Sequence, residues 1–269
     1  MQHLHTLTNY DVIALVYDRF RLPNLIIAEY LSKAFCKTEG PVLSIGCGTG
    51  QYEAILSEKI EIIGLDKSQE MVSKAKERIL NVTRGDMTGL PYVNSSFSGA
   101  YFMQSLHHVG ANLSISTQER SSARQRALKE AIRVVHKGPI FIVQRDPSQN
   151  QAVWFWKFFP RALEIKLMIQ PKVEILAEWL DDFGLENVTA KPIHDTMIRG
   201  FYDPEAPLDP GFRRSFSEFS YLSEQDVREG VEKLKLAIHD GSVIEDIRKC
   251  KLRFSEIGGS VFIISGKKR

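Results

Sequence analysis

The segment of this sequence best suited to chemistry is Val42-Leu-Ser-Ile-Gly46-Cys-Gly48-Thr-Gly50, in which an apolar run ends in three alternate glycines. Glycine admits positive φ and lets a ligand approach the backbone closely. A helix starting directly afterwards would present free N–H groups to polar or negative atoms. Asp66 ends the next apolar run, at about the 20-residue spacing where a carboxylate meets a ribose diol. A dinucleotide fingerprint would require glycine or alanine at position 51, but Gln51 stands there, which disfavours a nicotinamide site. Cys47, inside the turn, reads as a small residue whose backbone matters more than its thiol.

Other chemical candidates carry two readings each. Tyr17 and Arg21 are one helical turn apart and share a face, either closing over a ligand or forming a core tyrosine beside a surface cation. His107 and His108 follow a strand; one could take a proton from a nucleophile, or both could serve packing and backbone bonds. Asp146 follows the next strand and either holds a polar substrate group or starts the turn before Pro147. Met71 is core or touches a ligand's ring. The aromatic run Trp154-Phe-Trp-Lys-Phe-Phe159 reads first as the core of a lid, second as a substrate wall or cation cage. Arg120, Arg124, Arg126, Lys129 and Arg133 read as a solvated helix face, or more sharply as a contact for RNA phosphate.

Placing these residues requires alternating elements. Apolar runs predict strands over 41–45, 60–65, 79–83, 99–106, 139–144, 186–193 and 259–265. Helical periodicity predicts helices over 11–35, broken at Pro23, and over 51–59, 68–78, 118–135, 151–170, 173–183 and 223–239. Such alternation predicts βαβ units, a mostly parallel sheet and helices on both faces. The chain is expected to form a single domain over 1–269. A covering helix would span 8–35, with helical lid insertions over about 151–170 and 195–256, the second too long for a plain loop.

The combination of segments resembles the class I S-adenosylmethionine-dependent methyltransferases, in particular their type-11 small-molecule group. The glycine turn resembles their first motif. Gly64-Leu-Asp66-Lys67-Ser-Gln-Glu-Met71 resembles the acidic ribose-binding strand end and its helix. Gly85-Asp86-Met87-Thr-Gly-Leu-Pro91 resembles the adenine-contacting aspartate and its loop, and 95–108, through Gln104 to His108, the fourth strand beside the methionine end of the cofactor. Residues 10–21 resemble the helix folded over that cofactor. The pattern departs at Ser98, where aspartate is common, and at Lys137-Gly138-Pro139, where a Gly-Gly turn is usual.

The resemblance implies a Rossmann-like α/β fold with seven strands, the last antiparallel, and S-adenosyl-L-methionine as cofactor. It implies cofactor contacts from Tyr17, Arg21, Gly46, Cys47, Gly48, Gly50, Asp66, Lys67, Met71, Asp86, Met87 and Gln104, and catalytic roles for His108 and Asp146, with no metal. Methyl transfer to a small molecule by in-line displacement is the expected activity. Methylation of tRNA at a wobble uridine, or cofactor binding without turnover, are the alternatives.

Composition agrees with this. Thirty-five Lys and Arg against 33 Asp and Glu leave a net charge of +2, which gives no general drive onto nucleic acid or anionic lipid. Three dispersed cysteines exclude a disulfide framework and disfavour structural zinc. No apolar stretch is long enough to span a bilayer, and 1–10 has no secretory pattern, so a cytoplasmic location is expected.

Overall fold

The structure is a computed structural model that describes residues 10–193 and 200–269. Positions 8 and 9 of the expected covering helix, 195–199 of the expected insertion, and 1–9 of the segment read for a secretory pattern lie outside the described residues.

Two helices open the chain, α1 (Tyr10–Phe20) and α2 (Leu25–Phe35). The break falls at Pro23, and Asn24 starts α2 by accepting hydrogen bonds from the Ile26 and Ile27 N–H groups. Then follow β1 (Val42–Ile45), α3 (Gln51–Leu56), β2 (Ile62–Asp66), α4 (Gln69–Lys76), β3 (Asn81–Arg84) and β4 (Gly99–Met103). Helix α5 (Thr117–Val134) and strand β5 (Gly138–Gln144) complete the alternating part. Beyond it lie α6 (Pro147–Gln151), α7 (Pro160–Ile169), α8 (Val173–Asp182), β6 (Glu186–Ile193), α9 (Pro210–Arg214), α10 (Glu224–His239), α11 (Ser242–Ile257) and β7 (Val261–Lys268).

The seven strands run in the order β3-β2-β1-β4-β5-β7-β6, with β7 antiparallel to both neighbours and every other pairing parallel. The order reverses between β1 and β4, so a crevice opens at their carboxyl ends, where open α/β sheets bind ligands. Both faces of the sheet are covered. Leu43, Ile45, Phe102 and Ile142 pack under α5 and α8, while Val42, Tyr101 and Val143 pack under α2. That double burial is why β1 reads as a continuous apolar run rather than an alternation. A third apolar cluster sits away from the sheet and joins Phe20 of α1 to Phe155, Phe212, Phe216, Leu234 and Phe254.

Three expectations change. The stretch 151–170 is not one helix: Pro147 opens α6, a 3-10 turn covers Trp154–Phe158, and Pro160 opens α7. The fourth strand stops at Met103, because Gln104 adopts a φ of 53° and a 3-10 turn over Leu106–His108 follows. The basic face of α5 is largely internal. Arg120, 2% exposed, donates to the carbonyls of Gly110 and Met168, and Arg124, 4% exposed, to those of His107 and Ile169. Arg133 pairs with Glu130 and reaches the Leu90 and Tyr92 carbonyls. Arg126 and Lys129 stay exposed. Two arginines taken for a solvated or RNA-facing surface therefore tie the segment after β4 to the end of α7.

Candidate functional site

The glycine turn and Asp66 form the base of the site. Gly46, Gly48 and Gly50 all have positive φ, at 77°, 57° and 79°. A Cβ on Gly46 would lie 2.4 Å from Ser105 Cβ, and one on Gly50 3.2 Å from Ala75 Cβ, so these two are needed for close packing. At Gly48 a Cβ would meet nothing within 4 Å, so this glycine faces open space. The Asp66 carboxylate accepts from the Gly48 N–H through Oδ2 and from the Ser68 N–H through Oδ1, both at 2.9 Å. One side chain thus fixes the open glycine and the start of α4.

An outer chamber of about 530 Å³ spreads from Gly48 over the ends of β2 and β3. Asp66, Lys67, Met71, Asp86, Met87 and Gln104 all line it, as does Tyr17 from α1. Met71 is 2% exposed and packs against Ile13 and Ala14, so it is both core and chamber wall. Asp86 accepts from the Thr88 N–H and hydroxyl through Oδ1 and from Lys67 Nζ through Oδ2 at 2.8 Å. Burial raises its pKa, but these donors outweigh burial and bring it down to about 2. Its volume suits a nucleoside-sized ligand, and the open glycine beside a strand-end carboxylate fits an adenosyl group.

An inner chamber of about 140 Å³ lies on the other side of Gly46, Gly48, Gln104 and His108, which line both spaces. Its walls come from distant parts of the chain: Arg21 just after α1, Arg145 after β5, Asn150 of α6, Trp156, Lys166 of α7 and Glu218. Lys166 Nζ and Glu218 Oε1 are 2.9 Å apart and nearly sealed from solvent. The His107 and His108 rings lie with centroids 3.9 Å apart, tilted by 44° to one another. Burial and the Lys166 charge draw the His108 pKa down to about 3, and burial with the His108 charge holds His107 well below its ordinary value. Both imidazoles are therefore neutral at physiological pH. Cys47 lines the same chamber with its thiol pushed well up by burial, so it stays protonated and behaves as a packing group.

Asp146 is a correction. It caps α6, its Oδ1 accepting from the Ser148 N–H and hydroxyl and its Oδ2 from the Val173 N–H, and it lines neither chamber. Both oxygens are occupied in joining α6 to α8. Arg21, expected to contact the cofactor, does line the inner chamber, yet its Nε and Nη2 donate to the Ser215 carbonyl and its guanidinium lies 4.5 Å from the Phe216 ring centroid. In the aromatic run, Trp154, Phe155, Phe158 and Phe159 build the third cluster, while Trp156 also faces the inner chamber. Arg145, Asn150, Lys166 and Glu218 were missed. Arg145 had a signal, since it stands at the β5 end one residue before the aspartate chosen instead.

Comparison with known proteins agrees with this geometry. Residues 43–143 match the family described as a methyltransferase domain. A putative methyltransferase from an antibiotic biosynthesis pathway of Anabaena variabilis superposes with a TM-score of 0.71 at 21% identity, covering 91% of this chain and 98% of that one. The probable tRNA methyltransferase 9B of Mus musculus is 34% identical over 138 residues, 51% of this chain and 25% of the mouse protein. The phosphatidylethanolamine N-methyltransferase of Cereibacter sphaeroides is 23% identical over 188 residues, 67% of this chain and 79% of that protein. The chain spans about half or less of the first curated relatives that it matches.

Proposed function

We propose that this chain, whose residues 43–143 belong to the methyltransferase-domain family, is an S-adenosylmethionine-dependent methyltransferase that acts on a small-molecule acceptor by in-line displacement. The carrying observation is a pair of chambers that meet at Gly48, Gln104 and His108, the outer nucleoside-sized and the inner about 140 Å³. When bound, S-adenosylmethionine supplies a methyl group on a sulfonium, whose C–S bond breaks toward sulfur as the acceptor's lone pair bonds the carbon.

This chain's own residues then align and shield. Asp66 and Gly48 hold the sugar end, Met71 flanks the base, and Asp86 with Lys67 borders it. Tyr17 and Arg21 hold α1 against the opening. Such transfer needs alignment and exclusion of water more than acid-base power. His108, neutral and placed where the chambers meet, accepts a hydrogen bond from the acceptor's O–H or N–H and orients the lone pair.

The small volume of the inner chamber, about 140 Å³, favours a small acceptor over a nucleic acid. The tRNA reading draws support from the mouse relative, but two arginines that would meet RNA are buried in structural bonds. We read the chain as one domain, since the apolar cluster holding the insertion also includes Phe20 of α1. No helix among the described residues is long and apolar enough to cross a membrane. The free thiols of Cys36, Cys47 and Cys250 suit a cytoplasmic location.

Titration calorimetry with S-adenosylhomocysteine, followed by transfer of a labelled methyl group to a small-molecule library and to bulk tRNA, tests the reading. Saturable binding with label in small products supports it. No binding removes both enzyme readings, label in tRNA selects the alternative acceptor, and binding with no transfer favours a cofactor-binding protein.

A further inference from the structure

The inner chamber holds buried polar groups that the fold leaves unanswered. Asn150 is fully buried, and neither its amide nitrogen nor its amide oxygen has a hydrogen-bond partner among the described residues. The Trp156 indole N–H, on a residue 1% exposed, has no acceptor, and His107 Nδ1, on a residue 3% exposed, has no partner. All three side chains line the same space. Each of these groups gives up water on folding and gains no hydrogen bond in return. Three of them around one small cavity are best explained by a ligand that answers them.

The ionic groups of the same walls are, by contrast, already engaged. Lys166 pairs with Glu218 at 2.9 Å, and Glu53 Oε1 accepts from the Ser44 and Tyr101 hydroxyls. Arg21 donates to the Ser215 carbonyl. Arg145 is engaged as well, its guanidinium 5.5 Å from the Phe201 ring centroid. The groups left open are therefore neutral. They favour an uncharged ligand, since an ion would be buried there without a counter-charge of its own.

Their chemistry sets the pattern that the ligand must carry. The Asn150 amide offers two N–H donors beside one carbonyl acceptor, and Trp156 adds a donor only. Lys166 Nζ lies 3.5 Å from His107 Nε2, which favours the tautomer with its proton on Nδ1, so this ring also donates. Donors thus outnumber acceptors. Their complement is an acceptor oxygen with a single N–H beside it, which a primary amide or a lactam presents along one edge.

We propose that the methyl acceptor is an uncharged amide or lactam, its carbonyl oxygen received in the inner chamber by the N–H groups of Asn150, Trp156 and His107 and its own N–H by the Asn150 carbonyl oxygen. This rests on the methyltransferase reading of the site. A cavity of about 140 Å³ compares with the roughly 150 Å³ that holds benzene elsewhere, so the part held there is no larger than one ring. The amide edge docks the acceptor, and a separate nucleophilic atom on it faces the junction of the two chambers. The competing occupants are ordered water and the amino-acid end of the cofactor.

Calorimetry on the full chain separates these occupants. Two series of probes are titrated with and without saturating S-adenosylhomocysteine: benzamide, acetophenone and benzoate, and acetamide, acetone and acetate. Within each series the shape is held while the carbonyl carries a nitrogen, a methyl group or a charged oxygen. In at least one series the amide is expected to saturate, about fivefold tighter than the ketone and about tenfold tighter than the carboxylate. Asn150→Leu keeps the shape and removes both amide atoms. It should weaken the amide about tenfold and leave S-adenosylhomocysteine affinity within about twofold. It should not lower the urea midpoint of the ligand-free chain, because the atoms removed have no partner to lose. Trp156→Phe removes the indole N–H, should weaken the amide about threefold, and serves if Asn150→Leu does not fold. The proposal is overturned if neither amide saturates at millimolar concentration, the result that ordered water alone would give, or if a ketone or carboxylate binds as tightly as its amide. It is also overturned if the variants leave amide affinity unchanged, or if Asn150→Leu folds with a lowered urea midpoint. Methylthioadenosine lacks the amino-acid end of the cofactor, so weakened S-adenosylhomocysteine with unchanged methylthioadenosine in Asn150→Leu would assign these groups to the cofactor and overturn the proposal too. Amide binding without any S-adenosylhomocysteine binding would leave the amide site standing and remove the methyltransferase reading instead.

Discussion

Arg21 and Ser215, 194 positions apart, are joined by two hydrogen bonds from one guanidinium to one backbone carbonyl, at 3.2 and 2.7 Å. The same guanidinium lies over the Phe216 ring. This contact links the end of α1, which borders the outer chamber through Tyr17, to the segment 215–218 that borders the inner chamber, so the two covers are expected to close as a unit. Arg21→Met keeps the stem and removes the bonds. It should destabilise the protein by about 1–3 kcal/mol and accelerate S-adenosylhomocysteine release. Urea unfolding and stopped-flow dissociation check this, and unchanged release with unchanged stability would mean that the contact does not hold the covers.

Asp66 is placed to hold the glycine loop as well as a ligand, since its oxygens accept from the Gly48 and Ser68 N–H groups. Asp66→Ala removes both. The expected loss is about 1–3 kcal/mol of S-adenosylhomocysteine binding, read by calorimetry on a variant shown to be folded by circular dichroism. Full retained affinity would remove Asp66 from the cofactor site.

The parts of this site that were legible in the sequence are those set by short spacings. Gly46 and Gly50 had to be glycines because a turn with positive φ packs against Ser105 and Ala75, Gly48 shares the positive φ in open space, and Asp66 is one strand away. The walls of the inner chamber were not legible. Glu218 and Lys166 belong to separate parts of the helical region and meet only through the packing of the third apolar cluster. Arg120 and Arg124 were misread for a related reason. A helical periodicity shows which residues share a face, not that this face is covered by the end of α7 and the segment after β4. Asp146 was misread because a strand-end carboxylate and a helix cap look alike until the partner Val173 N–H is seen.

Asp146→Ala therefore separates a cap from a substrate ligand. Loss of the cap should cost about 1–2 kcal/mol in urea unfolding, with cofactor and acceptor affinities unchanged within about twofold. A selective loss of acceptor binding at native stability would restore the site role.

His108 gives a pH dependence whose sign follows from its environment. Its pKa falls from 6.5 to about 3 on folding, through burial and Lys166, with Glu218 acting in the opposite sense and Arg21 and Arg124 adding to Lys166. The unfolded chain therefore binds more protons than the folded one between those values. Stability is undiminished above the unfolded pKa and is lost as pH falls below it. From pH 7 to pH 5 the loss from this residue is roughly 2 kcal/mol. His108→Gln should show a shallower decline over that interval by about that amount. Parallel stability curves for the two proteins would mean that the imidazole is more solvated than its place between the chambers implies.

The Lys166–Glu218 pair allows the sharpest test of the inner chamber. The two groups are 2.9 Å apart with side chains 13% and 1% exposed. Burial lowers the lysine pKa and raises that of the glutamate, yet the Lys166 charge more than offsets burial at Glu218, whose net shift is downward. Glu218 therefore remains charged beside Lys166. Replacing one member leaves the other as an uncompensated buried ion, so Glu218→Gln should cost about 3–5 kcal/mol. Replacing both with apolar residues of similar volume, Lys166→Met with Glu218→Leu, should recover most of that, because desolvation of an ion pair consumes much of its attraction. Urea unfolding of the single and double variants reads both. If the double variant is no more stable than the single one, the two groups do not form the buried ion pair that the 2.9 Å separation describes.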